Sequence, residues 1–288
     1  MIGWRCARAR RNVVEIDEVQ EEWVVKNAGK FLVLSGLLVL ALMMGTAAEA
    51  AKIKLGVDGG MHTEMAEVVQ KIAAEKGLEI EIITFQDYIM PNAALADGEI
   101  DVNSFQHLPY LENMMKDRGY KLVSIGNTAL MPMAAFSNRI KNLSELKDGA
   151  TVGIPNDPSN GGRALLLVAA QGLIELDPAA GILPTVIDIT KNARGLKFVE
   201  LDAALLVRAL DDTDIAVINT NYSIEAGLAP SRDGLFVESK DSPYVNIIVV
   251  REGEENRPEF KTLIESYNND TVRKFIDERY KGDVVAAW

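Results

Sequence analysis

The stretch Ile154-Pro155-Asn156-Asp157-Pro158-Ser159-Asn160-Gly161-Gly162-Arg163 decides the fold prediction. It joins a short β-rich run, 151–154, to an apolar helical pattern that begins at Arg163. A strand, a polar turn and a helix in this order form the repeating unit of α/β sheets. The stretch therefore predicts an α/β domain with a polar turn at a strand end.

The chemistry of this turn suits an anion. Asn156, Ser159 and Asn160 are typical capping residues, and Gly161-Gly162 lets backbone N–H groups approach a ligand. Arg163 is predicted to lie in the first helical turn, where its guanidinium and the helix dipole would together attract a carboxylate. Polar turns before helices are common, so the spacing alone favours the alternative, an ordinary capped helix with an exposed arginine.

The same alternation of strand and helix patterns extends along the chain. Strand-like runs cover 52–57, 78–85, 121–125, 151–154, 215–218 and 245–250, and helical spacing covers 61–76, 108–116, 163–175, 202–209 and 257–280 with a break near Asn268. This alternation predicts α/β layers with largely parallel sheets.

The domain organisation is predicted from the absence of a Pro- or Gly-rich linker. Extended segments at 131–136 and 234–246 are candidates for passages between two lobes. We predict lobe 1 at 51–133 and 247–288, and lobe 2 at 134–246. Ligands of open α/β sheets bind beyond the carboxyl ends of strands, so the cleft between the lobes is the expected site.

The N-terminus predicts export. Lys26 and Lys30 precede the apolar run 31–44, which ends in the small residues of 46–50. This pattern is typical of a secretory signal, with cleavage predicted after Ala50, and the alternative is a retained single-pass anchor. Residues 1–25 form an extension that a signal does not need, so 1–50 is left out of the fold prediction.

Composition excludes several function classes. The formal net charge is −12, and residues 1–50 carry six Lys/Arg and six Asp/Glu, so their removal leaves it unchanged. An acidic surface disfavours nucleic acid as a partner. Cys6 is the single cysteine, and His62 and His107 lie far apart with no metal-ligand spacing around them. No Walker-type loop, Gly-x-Gly-x-x-Gly or Gly-x-Ser-x-Gly motif is present, so we predict no metal, no cofactor and no catalysis.

Aromatic residues near two strand ends are candidates for a pocket. Tyr88 follows the run 78–85, and Phe105, His107 and Tyr110 lie close together where a strand enters a helix. Such rings can line an apolar pocket with polar tips. The alternatives are Tyr88 as a packing residue and His107 as a hydrogen-bonded core residue.

Two asparagines complete the candidate set. Asn219 follows the strand pattern 215–218, and Asn246 precedes the apolar run 247–250. An amide offers both donors and an acceptor, which suits a zwitterion. Taken alone, each asparagine is better explained as a turn former.

A set of short segments is distributed along the chain. They are Asp87-Tyr88, Phe105-Gln106-His107, Pro109-Tyr110-Leu111, Gly162-Arg163, Asp241-Ser242-Pro243-Tyr244-Val245-Asn246, Ala286-Ala287-Trp288 and the runs 93–101, 154–158, 208–212 and 216–219. Together they resemble the methionine-binding NlpA/MetQ-type periplasmic substrate-binding proteins of ABC importers, from about Lys52 to Trp288. The resemblance implies a two-lobed periplasmic binding protein fold (type II-like) with a hinge, which delivers a free amino acid to a membrane permease and its ATPase.

The resemblance also implies roles for the candidate residues. Arg163 would bind the carboxylate of L-methionine or a similar amino acid, and Asn219 and Asn246 would bind its carboxylate and ammonium ends. The residues lining the side-chain pocket would be Tyr88, Phe105, His107 and Tyr110. A thioether packs well against aromatic rings, and Arg163→Ala would fold normally but bind at least ~100-fold more weakly.

Two departures from the family pattern remain. Residues 47–52 contain no cysteine for lipid attachment, so a soluble periplasmic or secreted form is predicted. Residues 58–62 replace a turn that in family members often contains proline, and this difference weakens the case for His62 as a ligand-binding residue.

Three alternative functions are considered. The first is a receptor of the same fold for another apolar amino acid or a short peptide. The others are an enzyme that uses Tyr88, His107 and an aspartate, and a surface adhesin.

Overall fold

The computed structural model describes residues 51–288. The strands are β1 (Ala51–Asp58), β2 (Leu78–Phe85), β3 (Val102–His107), β4 (Leu122–Leu130), β5 (Ala134–Phe136), β6 (Thr151–Pro155), β7 (Glu175–Leu176), β8 (Ile189–Lys191), β9 (Lys197–Leu201), β10 (Ile215–Ile218), β11 (Phe236–Val237), β12 (Val245–Arg251) and β13 (Val285–Ala286). The helices are α1 (Met61–Glu75), α2 (Met90–Ala96), α3 (Leu108–Arg118), α4 (Pro158–Ala170), α5 (Leu206–Ala209), α6 (Thr220–Glu225), α7 (Pro230–Asp233), α8 (Pro258–Tyr267) and α9 (Asp270–Tyr280).

Two main sheets form the two lobes, as the α/β two-lobed prediction required. Lobe 1 contains a six-stranded sheet of order β13-β4-β12-β3-β1-β2, and lobe 2 a five-stranded sheet of order β11-β5-β10-β6-β9. Strands β1 to β3 pair in parallel, as do β6, β9 and β10. The prediction of largely parallel sheets is wrong for other strand pairs of both sheets. Strand β12 pairs antiparallel with β3 and β4, and β5 pairs antiparallel with β10 and β11.

Apart from the C-terminal strand β13, which pairs antiparallel with β4, the strands that introduce antiparallel pairing are those next to the points where the chain changes sheet. It leaves the first sheet after Leu130 and enters the second at Ala134, and it returns between Val237 and Val245. The lobe limits predicted from the sequence lie in or beside these intervals and stay a prediction.

Each lobe buries its own apolar core. Ile53, Leu55 and Val57 of β1 pack with Met65 and Val69 of α1 under the first sheet. In the second sheet the strand run 151–154 and the apolar face of α4 form a separate core. Within 51–288, no helix combines the length and the apolar character that a bilayer crossing requires.

Helix α4 begins five residues before its predicted start at Arg163. Pro158 occupies the first turn, where a backbone N–H has no partner within the helix and its absence costs nothing. The N-cap residue is Asp157, whose side chain accepts a hydrogen bond from the Asn160 backbone N–H at 2.9 Å. The prediction that Asn156, Ser159 and Asn160 serve as caps is therefore wrong. Arg163 lies in the second helical turn.

The paired glycines lie inside α4 and have a packing role. A Cβ at Gly161 would lie 2.7 Å from the Pro155 carbonyl oxygen, and one at Gly162 would lie 3.0 Å from the Cα of Leu183. Glycine at these positions lets the helix approach the end of β6 and the 182–183 loop. The sequence predicted that these glycines bring backbone N–H groups close to a ligand, whereas the structure shows both glycines packed against protein backbone.

We expect Gly161→Ala to destabilise the protein by about 1–3 kcal/mol, because the added methyl would overlap a backbone carbonyl that cannot move freely. The measurement is the free energy of unfolding in urea. Gly126→Ala in β4 is the matched control, since its Cβ would meet its nearest neighbour, Ile264, at an ordinary 3.6 Å. Equal effects of the two substitutions would contradict this packing account.

Candidate functional site

A small cavity lies between the two lobes, and residues of both contribute to its wall. All seven residues predicted from the sequence line this cavity: Tyr88, Phe105, His107, Tyr110, Arg163, Asn219 and Asn246.

The ends of strands bring these residues together. His107 ends β3 and lies opposite Asn246 of β12 in the antiparallel register. Asn219 follows β10 directly, and Arg163 projects from α4, which follows β6. Because β6 and β10 are parallel neighbours, their carboxyl ends meet at one edge of the second sheet. The cavity therefore has walls from both lobes.

Arg163 is 4% exposed and ion-paired. Its Nε donates to Glu238 Oε1 at 2.9 Å, and its Nη2 donates to Glu238 Oε2 and to the Met131 carbonyl oxygen, the latter at 2.9 Å. The guanidinium also lies 4.5 Å from the centre of the Tyr244 ring. Within residues 51–288, Nη1 has no hydrogen-bond partner, so it is available to a ligand.

Glu238 is a site residue that sequence reasoning missed. It follows the two-residue strand β11 and lies 75 positions from Arg163, so no local spacing connects the two. Glu238 also accepts a hydrogen bond from the Met133 backbone N–H at 3.1 Å. The carboxylate fixes the orientation of the guanidinium from outside the cavity.

His107 is held in one neutral tautomer. Its Nδ1 accepts the Tyr110 backbone N–H at 3.2 Å, so the proton is on Nε2, which donates to Asn160 Oδ1 at 3.2 Å. Burial, with the nearby charge of Arg163, lowers the pKa of His107 to about 3. The cavity therefore contains a neutral imidazole at physiological pH.

Asn160 and Asn219 form an amide pair in lobe 2. Asn160 Oδ1 accepts from Asn219 Nδ2 at 2.9 Å, while Asn160 Nδ2 donates to the cap residue Asp157. Asn219 is 7% exposed, and its Oδ1 has no partner among residues 51–288. A buried amide oxygen of this kind is an acceptor available to a ligand donor. Asn160 was assigned from the sequence to helix capping alone.

Three aromatic rings form the opposite wall. The ring centres of Tyr88, Phe105 and Tyr110 lie 6.1 Å from one another in tilted and edge-on arrangements. The Tyr110 hydroxyl donates to the Tyr88 carbonyl oxygen at 2.8 Å, and the Tyr88 hydroxyl donates to Asn221 Oδ1 at 2.6 Å. Burial raises the pKa of both phenols, so both stay neutral.

Asn246 closes the cavity from lobe 1. Its Nδ2 lies 3.2 Å from Met131 Sδ and 3.2 Å from His62 Nε2. Tyr244, two residues earlier, packs edge-on against His107 with ring centres 5.0 Å apart. His62 lines the cavity although the sequence departure around it argued against a ligand role.

The family model of the NlpA lipoproteins matches residues 53–288. The chain belongs to the NlpA lipoprotein family. It is 49% identical over 258 residues to the D-methionine-binding lipoprotein MetQ of Salmonella typhimurium, covering 88% of this chain and 95% of the relative.

Solved structures of NlpA-like proteins share this fold. A nutrient binding protein from Burkholderia cenocepacia bound to methionine has a TM-score of 0.81 and 47% identity, covering 82% of this chain and 100% of that one. An ABC transporter periplasmic substrate-binding protein from Coxiella burnetii has a TM-score of 0.79 and 46% identity, covering 82% and 100%. These descriptions agree with an extracytoplasmic NlpA protein, while the predicted export signal at 1–50 lies outside the described residues.

The buried neutral His107 predicts a pH dependence of stability. Its folded pKa of about 3 lies below the ordinary value of 6.5, so the unfolded chain binds the extra proton between these values. Stability therefore falls as pH drops below 6.5, by about 1.4 kcal/mol per pH unit from this residue. Between pH 7 and pH 5 we expect the wild type to lose about 2 kcal/mol more than His107→Gln, as measured by urea unfolding. Parallel losses in the two proteins would contradict a neutral His107.

Proposed function

We propose that the protein is an extracytoplasmic substrate-binding protein that captures a free amino acid, methionine in preference, and delivers it to an ABC transporter permease. One observation carries this proposal. The cavity joins a polar end, which contains a single guanidinium and several amides, to a wall of three aromatic rings. An amino acid with an apolar, polarizable side chain has this distribution of chemistry.

The carboxylate of the ligand would bind at Arg163. Glu238 already occupies Nε and Nη2, which leaves Nη1 as the donor directed to a ligand. Charge-assisted hydrogen bonds to a carboxylate are stronger than neutral ones, and burial strengthens them further. Arg163 is the one arginine or lysine among the described lining residues, so it sets the preference for a carboxylate.

The ammonium group would bind amide oxygens. Asn219 Nδ2 is already used by Asn160, and Asn246 Nδ2 by Met131 and His62, so each residue has its Oδ1 left as an acceptor. Both amides are more than nine-tenths buried. The proposal therefore assigns Asn219 and Asn246 to the ammonium end and Arg163 to the carboxylate end.

The side chain of the ligand would lie against Tyr88, Phe105 and Tyr110. A thioether sulfur packs favourably at the edges and faces of aromatic rings, with contributions of about 0.3–1.5 kcal/mol for each contact. The rings are fixed by their mutual packing and by the hydroxyl of Tyr110. This wall supports methionine over a shorter or branched apolar side chain, which would leave part of the wall without contacts.

The rival functions fit less well. The walls are buried in this closed arrangement, so a short peptide would need the lobes to separate, and another apolar amino acid remains the alternative. Catalysis needs an activated nucleophile beside a base. His107 instead donates to Asn160 and has a lowered pKa, which makes it a poor base.

Delivery to the permease would follow from lobe closure. The cavity has walls from both lobes, so a bound ligand favours the closed form by its differential affinity for that form. The partners proposed are the permease and its ATPase. The net charge of −12 disfavours nucleic acid as a partner.

We also propose export with cleavage after Ala50 and no lipid anchor at that point. The relatives are named lipoproteins, whereas residues 47–52 of this chain contain no cysteine. The intact mass of the protein secreted by a bacterial host tests this proposal. The mass of unmodified 51–288 would support it, and either a mass increased by acyl chains or retention of 1–50 would overturn it.

The first test of function is native mass spectrometry of residues 51–288 purified without added ligand. We expect methionine to be released on denaturation, and we expect excess methionine to raise the melting temperature of the emptied protein, because a ligand that binds the native state stabilises it. A panel of L-methionine, D-methionine, leucine and a methionine dipeptide separates the alternatives. A protein that responds to another member of the panel and not to methionine would overturn the methionine assignment.

Arg163→Ala is expected to weaken methionine binding at least ~100-fold in isothermal titration calorimetry. The pair with Glu238 changes the expectation that this variant folds normally, because breaking a buried ion pair costs about 3–5 kcal/mol. Arg163→Met combined with Glu238→Gln is the matched variant, since it removes both charges and leaves no buried carboxylate unpaired. A double variant that folds and binds like the wild type would contradict the role of Arg163.

A further inference from the structure

Asp58 is a buried carboxylate outside the cavity. It ends β1 and is 1% exposed, and it is not among the residues that line the cavity. Its Oδ2 accepts a hydrogen bond from Asn221 Nδ2 at 2.8 Å. Asn221 belongs to α6 of lobe 2, so this contact crosses from one lobe to the other. The proposed function has not used Asp58.

The second oxygen of Asp58 contacts a cavity residue. Asp58 Oδ1 contacts Nδ1 of His62, the second residue of α1, and His62 Nε2 faces Asn246 Nδ2 at 3.2 Å. A thioether sulfur only accepts hydrogen bonds, so the atom of Asn246 that faces Met131 Sδ is the amide nitrogen. His62 Nε2 is therefore an acceptor, and the proton of the imidazole lies on Nδ1, the atom that contacts Asp58 Oδ1.

This chain of contacts sets the orientation of Asn246. With Nδ2 donating to His62 and Met131, the amide cannot rotate by 180° without placing its oxygen against two acceptors. Asn246 Oδ1 is then the atom left for the ligand. Asp58 fixes the tautomer of His62, and His62 in turn fixes the orientation of the Asn246 side-chain amide.

The glycines after Asp58 allow the contact across the cleft. Gly60 has φ of 66°, and a Cβ there would lie 3.5 Å from Glu225 and 3.8 Å from the Asn221 carbonyl oxygen. These are ordinary contact distances, so the requirement for glycine at position 60 comes from the positive φ of the turn that connects β1 to α1. The segment 58–62, which departs from the family pattern in sequence, is thus one of the places where the two lobes touch.

We propose that Asp58 is a positioning residue that links the ligand cavity to the contact between the lobes, with one oxygen orienting Asn246 through His62 and the other accepting Asn221 of the opposite lobe. This inference rests on the proposed function. In the open form the Asn221 contact is broken, whereas the contact with His62 remains within lobe 1. Closure then adds a hydrogen bond from Asn221 to the Asp58 carboxylate, which already contacts His62 in the cavity wall.

The first test is a double-mutant cycle on methionine affinity, measured by calorimetry. We expect Asp58→Ala to weaken binding about 10- to 100-fold although Asp58 does not touch the ligand. In an Asn246→Ala background the same substitution is expected to cost less than in the wild type, because no amide remains to be oriented and only the contact with Asn221 is lost. Asp101→Ala is the matched control, since Asp101 accepts the Lys54 backbone N–H of the same strand β1 at 2.8 Å and lies outside the cavity.

The outcomes of the cycle separate the possibilities. An Asp58→Ala effect that is equal with and without Asn246, or one that matches Asp101→Ala, overturns the proposal. If the wild type binds none of the tested amino acids, the proposed function fails, and the histidine tautomers then decide the role of Asp58.

Those tautomers are readable in the wild type by long-range ¹H–¹⁵N NMR, because the chain has two histidines. We expect His62 as the Nδ1–H form and His107 as the Nε2–H form, with His107→Gln providing the assignment. Asp58→Ala is expected to shift His62 away from the Nδ1–H form while His107 is unchanged. Finding His62 as Nε2–H in the wild type would overturn the proposal even if Asp58→Ala does not fold.

Discussion

The buried ion pair between Arg163 and Glu238 is the interaction on which the arrangement of the cavity depends. A guanidinium that is 4% exposed is stable only when its charge is compensated, and Glu238 supplies that compensation. The same guanidinium donates to the Met131 carbonyl oxygen. Met131 and Glu238 lie in the two segments where the chain passes between the sheets. One side chain thus connects both passages at the place where a hinge is expected, and it presents its remaining Nη1 to the cavity.

Neutral polar groups surround this single charge. His107 is kept neutral by burial and by the repulsion of Arg163, and the phenols of Tyr88 and Tyr110 have raised pKa values. Hydrogen bonds fix the direction of each amide, since Asn160 accepts from Asn219 and Asn246 donates to His62. A low-dielectric cavity of this kind strengthens the interaction with a carboxylate and penalises ligands that cannot satisfy the amides.

The lobes also touch directly, and this affects how binding and closure would be connected. Tyr88 and Asp58 of lobe 1 both hydrogen-bond to Asn221 of lobe 2, and His107 reaches Asn160. Each contact contributes to the closed form without a ligand, so the ligand supplies only the remaining difference in free energy. Residues that never meet the ligand can thereby change its affinity.

Local patterns in the sequence determined the order of strands and helices, the break near Asn268 and the presence of polar side chains at strand ends, because hydrophobic periodicity and turn chemistry are properties of neighbouring residues. The resemblance to one family then gathered seven residues that the structure brings to one cavity. Tertiary structure alone decided the antiparallel half of each sheet, the early start of α4 and the packing role of Gly161-Gly162. It alone paired Arg163 with Glu238 and Asp58 with Asn221, at separations of 75 and 163 residues. Which residues form such pairs depends on where the chain crosses between the sheets, and this cannot be deduced from the spacing of neighbouring residues.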